Sequence, residues 1–388
     1  MPAALKTGKV MAKTTARSTR LFQGAVVALG LVTLSAPCAM AGEPPTQQHN
    51  STQQKVSDHV SAQKKIDIGL YELVFSPSQQ SIYVAATGGF GQGASDNYGE
   101  GEGGSIYRLD PQTLEIKDTI RLDQKPFGLA LNEKTHTLFV GHTLDKSVTA
   151  INLDDNSTRH LALATEAEKA EAKKNDVFGP NPRQLSVDEQ NNTLYVTGVG
   201  DKSVLWVING EDLTLSDTID GFGTWATGLA VDHDAGRIYV STMKDNAVRV
   251  VDMDSHEIVA QWPTGGEGPL NLALDSDGHQ LYVTNANSGN VTVLDTQTGK
   301  LKDTLTSGDG ALALMLTGDR LYVTNRKAQT VTLFDRESHK LLDTIKTPLM
   351  PNSLTAISDV SGVFVSLKQK LDENLQTDQP DSVVHIKP

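Results

Sequence analysis

The sequence contains almost no cysteine. Its single thiol among 388 residues is Cys38. Cys38 lies in an amino-terminal segment with five Lys or Arg and no acid, an apolar stretch over residues 21–34, and then Ala39-Met40-Ala41. That order is typical of a secretory signal peptide, and we predict cleavage after Ala41. The mature chain would contain no thiol, which excludes disulfides and thiolate chemistry.

Long hydrophobic runs are also absent. The apolar stretch of residues 21–34 is too short to span a bilayer comfortably, so we predict a periplasmic protein without a membrane span. A lipoprotein signal would need a small residue such as Gly or Ala before Cys38, and Pro37 stands there. Met11 is an alternative start that would give a signal of more ordinary length. Residues 42–60 are polar and are predicted to form a flexible leader.

Motifs of several enzyme classes are missing. The chain has no CxxCH for haem attachment, no GxSxG and no HExxH. The glycine-rich stretch of residues 87–104 lacks both the Rossmann spacing and a Walker lysine. Its acids Asp96, Glu100 and Glu102 lack the EF-hand spacing for calcium. We therefore predict no catalytic residue, no cofactor and no metal site.

Positive charge is scarce, with 34 Lys and Arg against 47 Asp and Glu and a net charge of −13. Cleavage of the signal removes five positive charges and no negative one, which gives −18. Such a charge excludes general adhesion to nucleic acid or anionic lipid, but it leaves open what a single face can bind.

What the chain does have is a repeat. An aromatic residue followed by Val recurs seven times, with aromatic residues at Tyr83, Phe139, Tyr195, Tyr239, Tyr282, Tyr322 and Phe364. The spacings are 56, 56, 44, 43, 40 and 42 residues. The base period is therefore close to 42, which is the length of one four-stranded propeller blade.

Residues 271–305 show the complete unit. An apolar run (LAL), an acidic turn, the YVT run, a polar loop, the run VTVLD, a Gly turn and a last run follow one another. Runs of this length, rich in Val, Ile, Tyr and Thr, predict strands joined by tight turns. We predict an all-β, seven-bladed β-propeller of four-stranded antiparallel blades as one domain over residues 61–388. The last repeat shows only three strands, so a segment near residues 61–68 is predicted to supply the fourth.

Insertions explain the two long steps. Residues 87–104 expand a loop of the first blade. Residues 162–182 contain TEAEKAEAKKN, in which Glu166/Lys169 and Glu171/Lys174 are spaced i,i+3. Ala, Glu and Lys favour helix, so we predict a short exposed helix that ends before Gly179.

Stretches between the repeats resemble the YncE proteins of bacterial envelopes, a family of YVTN-repeat propellers. They are residues 106–111 (IYRLDP), 125–128 (KPFG), 203–210 (SVLWVING), 351–354 (PNSL) and 365–370 (VSLKQK). The resemblance implies a periplasmic seven-bladed propeller without known catalysis and with an ability to bind single-stranded DNA.

The repeat assigns each loop to a face. Loops between strands two and three, and those between consecutive blades, share one face, which we call the top face. Cations and aromatic rings recur there, with acids among them, and the predicted ligand-binding residues are Lys125, Phe127, Lys146, Phe178, Arg183, Lys202, Trp225, Lys244, Arg326 and Lys368. Rings stack on bases and cations meet phosphates, so the set suits single-stranded DNA or another polyanion. The alternative is that Phe127, Phe222 and Trp225 plug the channel mouth.

Aspartates recur in the turns of the opposite, bottom face, where ordinary turn chemistry explains them. Two other functions stay open. One is a small-molecule enzyme such as a lactone hydrolase, centred on His142 and acids of the top face. The other is a scaffold for an envelope protein partner. We expect a monomer.

Overall fold

The computed structural model describes residues 59–89, 103–357, 360–372 and 376–387. The first strand of the described residues is β1 (Val60–Lys65), which belongs to the last blade. Blade 1 comprises β2 (Leu70–Ser76), β3 (Ser81–Ala86), β4 (Gly104–Leu109) and β5 (Ile116–Leu122). Blade 2 comprises β6 (Gly128–Asn132), β7 (Thr137–His142), β8 (Ser147–Asn152) and β9 (Thr158–Ala162). Helix α1 (Glu166–Asn175) then precedes blade 3, which comprises β10 (Asn181–Asp188), β11 (Thr193–Val199), β12 (Val204–Asn209) and β13 (Thr214–Ile219).

The remaining blades follow the same order. Blade 4 comprises β14 (Ala226–Asp232), β15 (Arg237–Thr242), β16 (Ala247–Asp252) and β17 (Ile258–Pro263). Blade 5 comprises β18 (Pro269–Asp275), β19 (Gln280–Asn285), β20 (Asn290–Asp295) and β21 (Leu301–Thr306). Blade 6 comprises β22 (Ala311–Thr317), β23 (Arg320–Asn325), β24 (Thr330–Asp335) and β25 (Leu341–Lys346). Blade 7 comprises β26 (Met350–Ile357), β27 (Val360–Lys368), β28 (Ser382–Ile386) and, as its outer strand, β1.

The predicted fold is confirmed. Seven four-stranded antiparallel sheets follow one another, and the first strand of each blade contacts the first strands of its two neighbours, so the ring is closed. β1 pairs antiparallel with β28, from Val60 opposite Ile386 to Lys65 opposite Ser382. The ring is thus closed by joining the two ends of the chain in one sheet, as predicted, and this pairing covers the edge of β28.

The predicted helix is also present. α1 begins with a capping box in which Thr165 and Glu168 satisfy each other's backbone amides. Lys169 pairs with Glu166 at 2.7 Å and Lys174 with Glu171 at 3.7 Å. No residue of α1 is buried. No helix in the described ranges is long and apolar enough to cross a membrane.

The aromatic residue of each repeat is buried, with at most 3% of its surface exposed in all seven blades. The outer strands are much more exposed to solvent: β21, for example, has one buried residue among six.

Aspartates of the bottom turns accept hydrogen bonds from backbone amides, as predicted: Asp110 accepts those of Gln112 and Thr113, both at 2.9 Å. The bond from Lys117 and these amides lower the pKa of Asp110 to about 2. Turn chemistry therefore accounts for the recurrence of aspartate there.

The hydroxyl that follows the aromatic-Val pair joins neighbouring blades. In blade 5, Thr284 Oγ1 accepts the amide of Asn271 at 3.0 Å and donates to the carbonyl of Leu312, in blade 6, at 2.7 Å. Thr197, Ser241, Thr324 and Ser366 make the equivalent pair of bonds in their blades. We call this arrangement the hydroxyl clip. Each clip satisfies an amide and a carbonyl at the start of an inner strand, where the register of the ladder shifts.

Candidate functional site at the top of the channel

The inner strands build the channel from equivalent positions. A leucine recurs at Leu73, Leu129, Leu185, Leu229, Leu272, Leu314 and Leu354. The residue directly before it forms what we call the second axial ring: Glu72, Gly128, Gln184, Gly228, Asn271, Ala313 and Ser353. The residue before that forms the first axial ring: Tyr71, Phe127, Arg183, Thr227, Leu270, Leu312 and Asn352. The rings lie where the inner strands start, at the top of the channel.

A pocket of about 70 Å³ lies at these rings. Six of its lining residues belong to the second axial ring, five to the first, and the last is Thr143. The volume is well below the roughly 300–1,000 Å³ of sites for drug-sized ligands. The pocket can therefore hold a small polar group, rather than a whole cofactor.

A chain of polar side chains crosses the pocket. Glu72 of blade 1 accepts from the amide of Leu129 in blade 2 at 3.0 Å and from Gln184 Nε2 in blade 3 at 2.9 Å. Arg183 donates to the carbonyl of Thr227 at 3.0 Å and to Asn271 Oδ1 in blade 5 at 3.1 Å. Burial raises the pKa of Glu72 and lowers the pKa of Arg183 to about 10. At neutral pH the guanidinium remains charged.

Glu72 has a structural role where clips are missing. Blades 1 and 2 carry Ala85 and Gly141 at the clip position and have no hydroxyl there. In that part of the ring the Glu72 amide donates directly to the carbonyl of Phe127 at 3.2 Å, and its carboxylate accepts the amide of Leu129. The carboxylate thus joins blades 1, 2 and 3.

Five of the ten predicted ligand-binding residues come together on the surface of blades 2 to 4. We call Lys146, Phe178, Lys202, Trp225 and Lys244 the lysine–aromatic cluster. The rings of Phe178 and Trp225 meet edge to face at 6.4 Å, and Lys244 Nζ lies 4.6 Å from the Trp225 ring centroid. Lys146 Nζ donates to the carbonyl of Gly179 at 3.2 Å.

The loop that carries Lys202 is fixed to both aromatic residues of the cluster. The amide of Asp201 donates to the carbonyl of Phe178, and the amide of Trp225 donates to the carbonyl of Gly200, both at 2.9 Å. Lys202 and Lys244 are exposed, whereas both rings are 9% exposed. Burial lowers the pKa of Lys146.

The other five predicted residues lie around the axis. Phe127 and Arg183 line the pocket. Lys125 is buried and donates to the carbonyl of Thr87 at 2.9 Å. Arg326 and Lys368 are 5% and 3% exposed. The top face therefore presents fewer surface cations than its sequence contains, because several of them donate hydrogen bonds to backbone carbonyls beneath it.

His142, the centre of the enzyme alternative, is fully buried. Its Nδ1 lies 3.1 Å from the carbonyl of Lys125, and its Nε2 lies 2.8 Å from Thr149 Oγ1. Burial lowers its pKa to about 4, so the ring is neutral and structural. Within the described ranges, no group of three or more His, Cys, Asp or Glu could hold a metal ion.

Sequence reasoning missed Glu72, Gln184, Asn271, Asn352 and Ser353. A signal existed in the repeat. These residues lie one or two positions before the recurrent leucine, and the residue type at both positions varies between blades while the leucine does not. Variation at an otherwise regular repeat position indicates residues that face the channel.

These features define a seven-bladed β-propeller with a polar pocket at the top of its channel. Residues 182–311 match a family model described as lactonase, 7-bladed beta-propeller. The chain is 34% identical to proteins named YncE and described as uncharacterized, over 329 residues for Salmonella typhi and 328 for Escherichia coli K12. Each match covers 83% of this chain and 89% of the relative. The chain belongs to the YncE family.

A solved structure supports the fold at much greater distance. The WD40 beta propeller domain of Doa1 aligns with a TM-score of 0.63 at 12% identity, covering 84% of this chain and 96% of that one. At this identity the likeness concerns the fold alone.

Proposed function

We propose that this protein is a periplasmic binding propeller that holds a polyanion, with single-stranded DNA as the first candidate, on its top face. The observation that carries the proposal is the lysine–aromatic cluster. There, two exposed lysines flank an edge-to-face pair of aromatic rings on a chain whose net charge is −13. The periplasmic location rests on the signal-like segment of residues 1–41.

The chemistry of the cluster suits a single strand. Bases stack on aromatic faces while lysines contact phosphates, at roughly 1–3 kcal/mol per stacked base. Lys244 lies over the Trp225 ring, and its long, exposed side chain can leave that face to reach a phosphate. A base would then take the place of the ammonium on the indole. Duplex DNA should bind less well, because its paired bases cannot reach the ring.

Lys202 and Lys244 allow a test that leaves the fold intact, since both are exposed. We expect the double variant Lys202→Gln/Lys244→Gln to weaken binding of a labelled oligothymidylate. We also expect the slope of log affinity against log salt to decrease in magnitude by about 1.4, because each of the two lost phosphate contacts contributes about 0.7 to that slope. Fluorescence anisotropy over a salt series measures both.

The matched control is Lys300→Gln/Lys340→Gln, which removes the same charge from exposed positions in bottom-face turns. It should keep the parent slope. If both double variants lose affinity equally, the lysines act through net charge alone and the proposed surface is wrong. If the parent protein does not bind at low salt, the proposal fails outright.

Hydrolysis of a lactone is the second candidate, favoured by the lactonase match of residues 182–311 and by the carboxyl of Glu72 in the pocket. A buried carboxyl with a raised pKa suits general acid–base work. The test follows acid release from a sugar lactone at pH 7. Acceleration that Glu72→Gln reduces about 100-fold or more supports this candidate. A rate equal to that without protein excludes it for that substrate.

A further inference from the structure

The ends of the second strands form a buried layer beside the axial rings. The residues four positions after the repeat aromatic are Thr87, Thr143, Val199, Met243, Ala286, Arg326 and Lys368, and all are at most 8% exposed. In blades 1 to 5 these residues are neutral. Blades 6 and 7 place two cations next to each other in the same layer, where burial of a charge is costly unless it is paired.

Arg326 is only partly satisfied. Its Nη1 donates to Asn352 Oδ1 at 2.7 Å, and Asn352 lines the pocket. Its Nη2 is buried and has no hydrogen-bond partner among the described residues. A guanidinium carries five donors in a planar fork that matches the geometry of a carboxylate or a phosphate. Nη2 of Arg326 therefore has donors that an oxyanion could accept.

Lys368 adds a second positive charge. Its Nζ donates to the carbonyl of Leu70 at 2.8 Å and lies 3.7 Å from the centroid of Tyr71, another residue of the pocket wall. The carboxylate near it, Asp381, is 3.7 Å away and already accepts the amides of Gly69, Leu70 and Gln369. Burial lowers the pKa of Arg326 and Asp381 opposes that shift electrostatically, so one carboxylate acts on both cations.

We propose that the channel mouth at blades 6, 7 and 1 is a binding site for a small oxyanion, a carboxylate or a phosphate group, held by Arg326 with Lys368 behind it. The pocket of about 70 Å³ is lined by Asn352 and Tyr71 and not by Arg326 or Lys368 themselves. Its volume can admit such a group, and contact with the buried Arg326 Nη2 requires the side chains of Asn352 and Tyr71 to move aside. An anion there would balance the excess positive charge. Burial lowers the pKa of Lys368 to about 7, with Asp381 opposing that shift, and a bound anion would favour the protonated ammonium further.

This site is separate from the lysine–aromatic cluster and stands whether or not a polymer binds there. The probes are inorganic phosphate and acetate, titrated into the full protein at constant ionic strength by calorimetry. We expect saturable binding of at least one probe. Arg326→Gln should weaken it about tenfold or more, because a charge-assisted bond is lost. Lys327→Gln, which removes an exposed charge beside it, should leave it unchanged.

A second measurement needs no variant. In crystals of the parent protein soaked in selenate, we expect an anomalous peak within hydrogen-bond distance of Arg326 Nη2. Displacement of a labelled oligonucleotide by phosphate would mean that a DNA phosphate uses the site, and phosphate binding without displacement would mean a free small anion. The proposal is overturned if neither probe binds, if Arg326→Gln binds as the parent does, or if the selenate peak lies elsewhere.

Discussion

A chain that starts at Ile66, and therefore lacks β1, is expected to unfold at a midpoint roughly 6–12 °C below that of a chain that retains β1. The truncation removes the ladder between Val60–Lys65 and β28 and the packing of Val60 and Ala62. Those contacts are worth about 3–6 kcal/mol, and in a domain of this size each kcal/mol shifts the midpoint by roughly 2 °C. Differential scanning calorimetry measures the difference.

The matched control is a chain that starts at Ser57. It also lacks the residues before Ser57, but it keeps β1. Truncation at Ile66 also exposes the edge of β28, so concentration-dependent aggregation should accompany the lower midpoint. Equal midpoints for the two truncated chains would mean that ring closure does not depend on β1.

Thr284→Val is expected to destabilise the protein by about 2–4 kcal/mol, because Val has the shape of Thr but no hydroxyl. The amide of Asn271 and the carbonyl of Leu312 would both lose their partner inside the ring. An unsatisfied buried backbone group costs roughly 1–3 kcal/mol. Urea denaturation followed by circular dichroism gives the change in free energy of unfolding.

Thr284→Ser is the paired variant, since it keeps the hydroxyl and removes the methyl group. Ser already occupies this position in blades 4 and 7, as Ser241 and Ser366. We expect Thr284→Ser to cost about 1 kcal/mol for the lost methyl group, clearly less than Thr284→Val. If the valine variant is as stable as the serine variant, the hydrogen bonds of the clip do not contribute to the free energy of unfolding.

The sequence was sufficient for the architecture because the repeat makes each blade a copy of its neighbours. The YVT copies indicated seven second strands, and a last repeat with three strands indicated that the amino-terminal segment supplies β1. Local composition also predicted α1, whose stability depends on residues within one or two turns of each other.

The site was less accessible from sequence because it depends on side-chain direction and on contacts between distant blades. The sequence pattern does not distinguish a lysine at the end of a strand that reaches solvent, as Lys202 does, from one that is buried and donates to a carbonyl, as Lys368 does. The contact of Glu72 with Gln184 joins residues 112 positions apart, and no local pattern encodes it. The predicted ligand-binding residues of the top face thus divide into a surface group and a buried group only once the ring is built.

Hydrogen–deuterium exchange of the parent protein with and without a short oligothymidylate tests most directly whether the top face binds a polyanion. We expect slower exchange in the loops of residues 176–180, 199–203, 222–226 and 243–246, which carry or adjoin the lysine–aromatic cluster. We expect no change in bottom turns such as residues 252–257 and 335–340. Protection of the bottom turns, or uniform exchange in the presence of bound oligonucleotide, would contradict it.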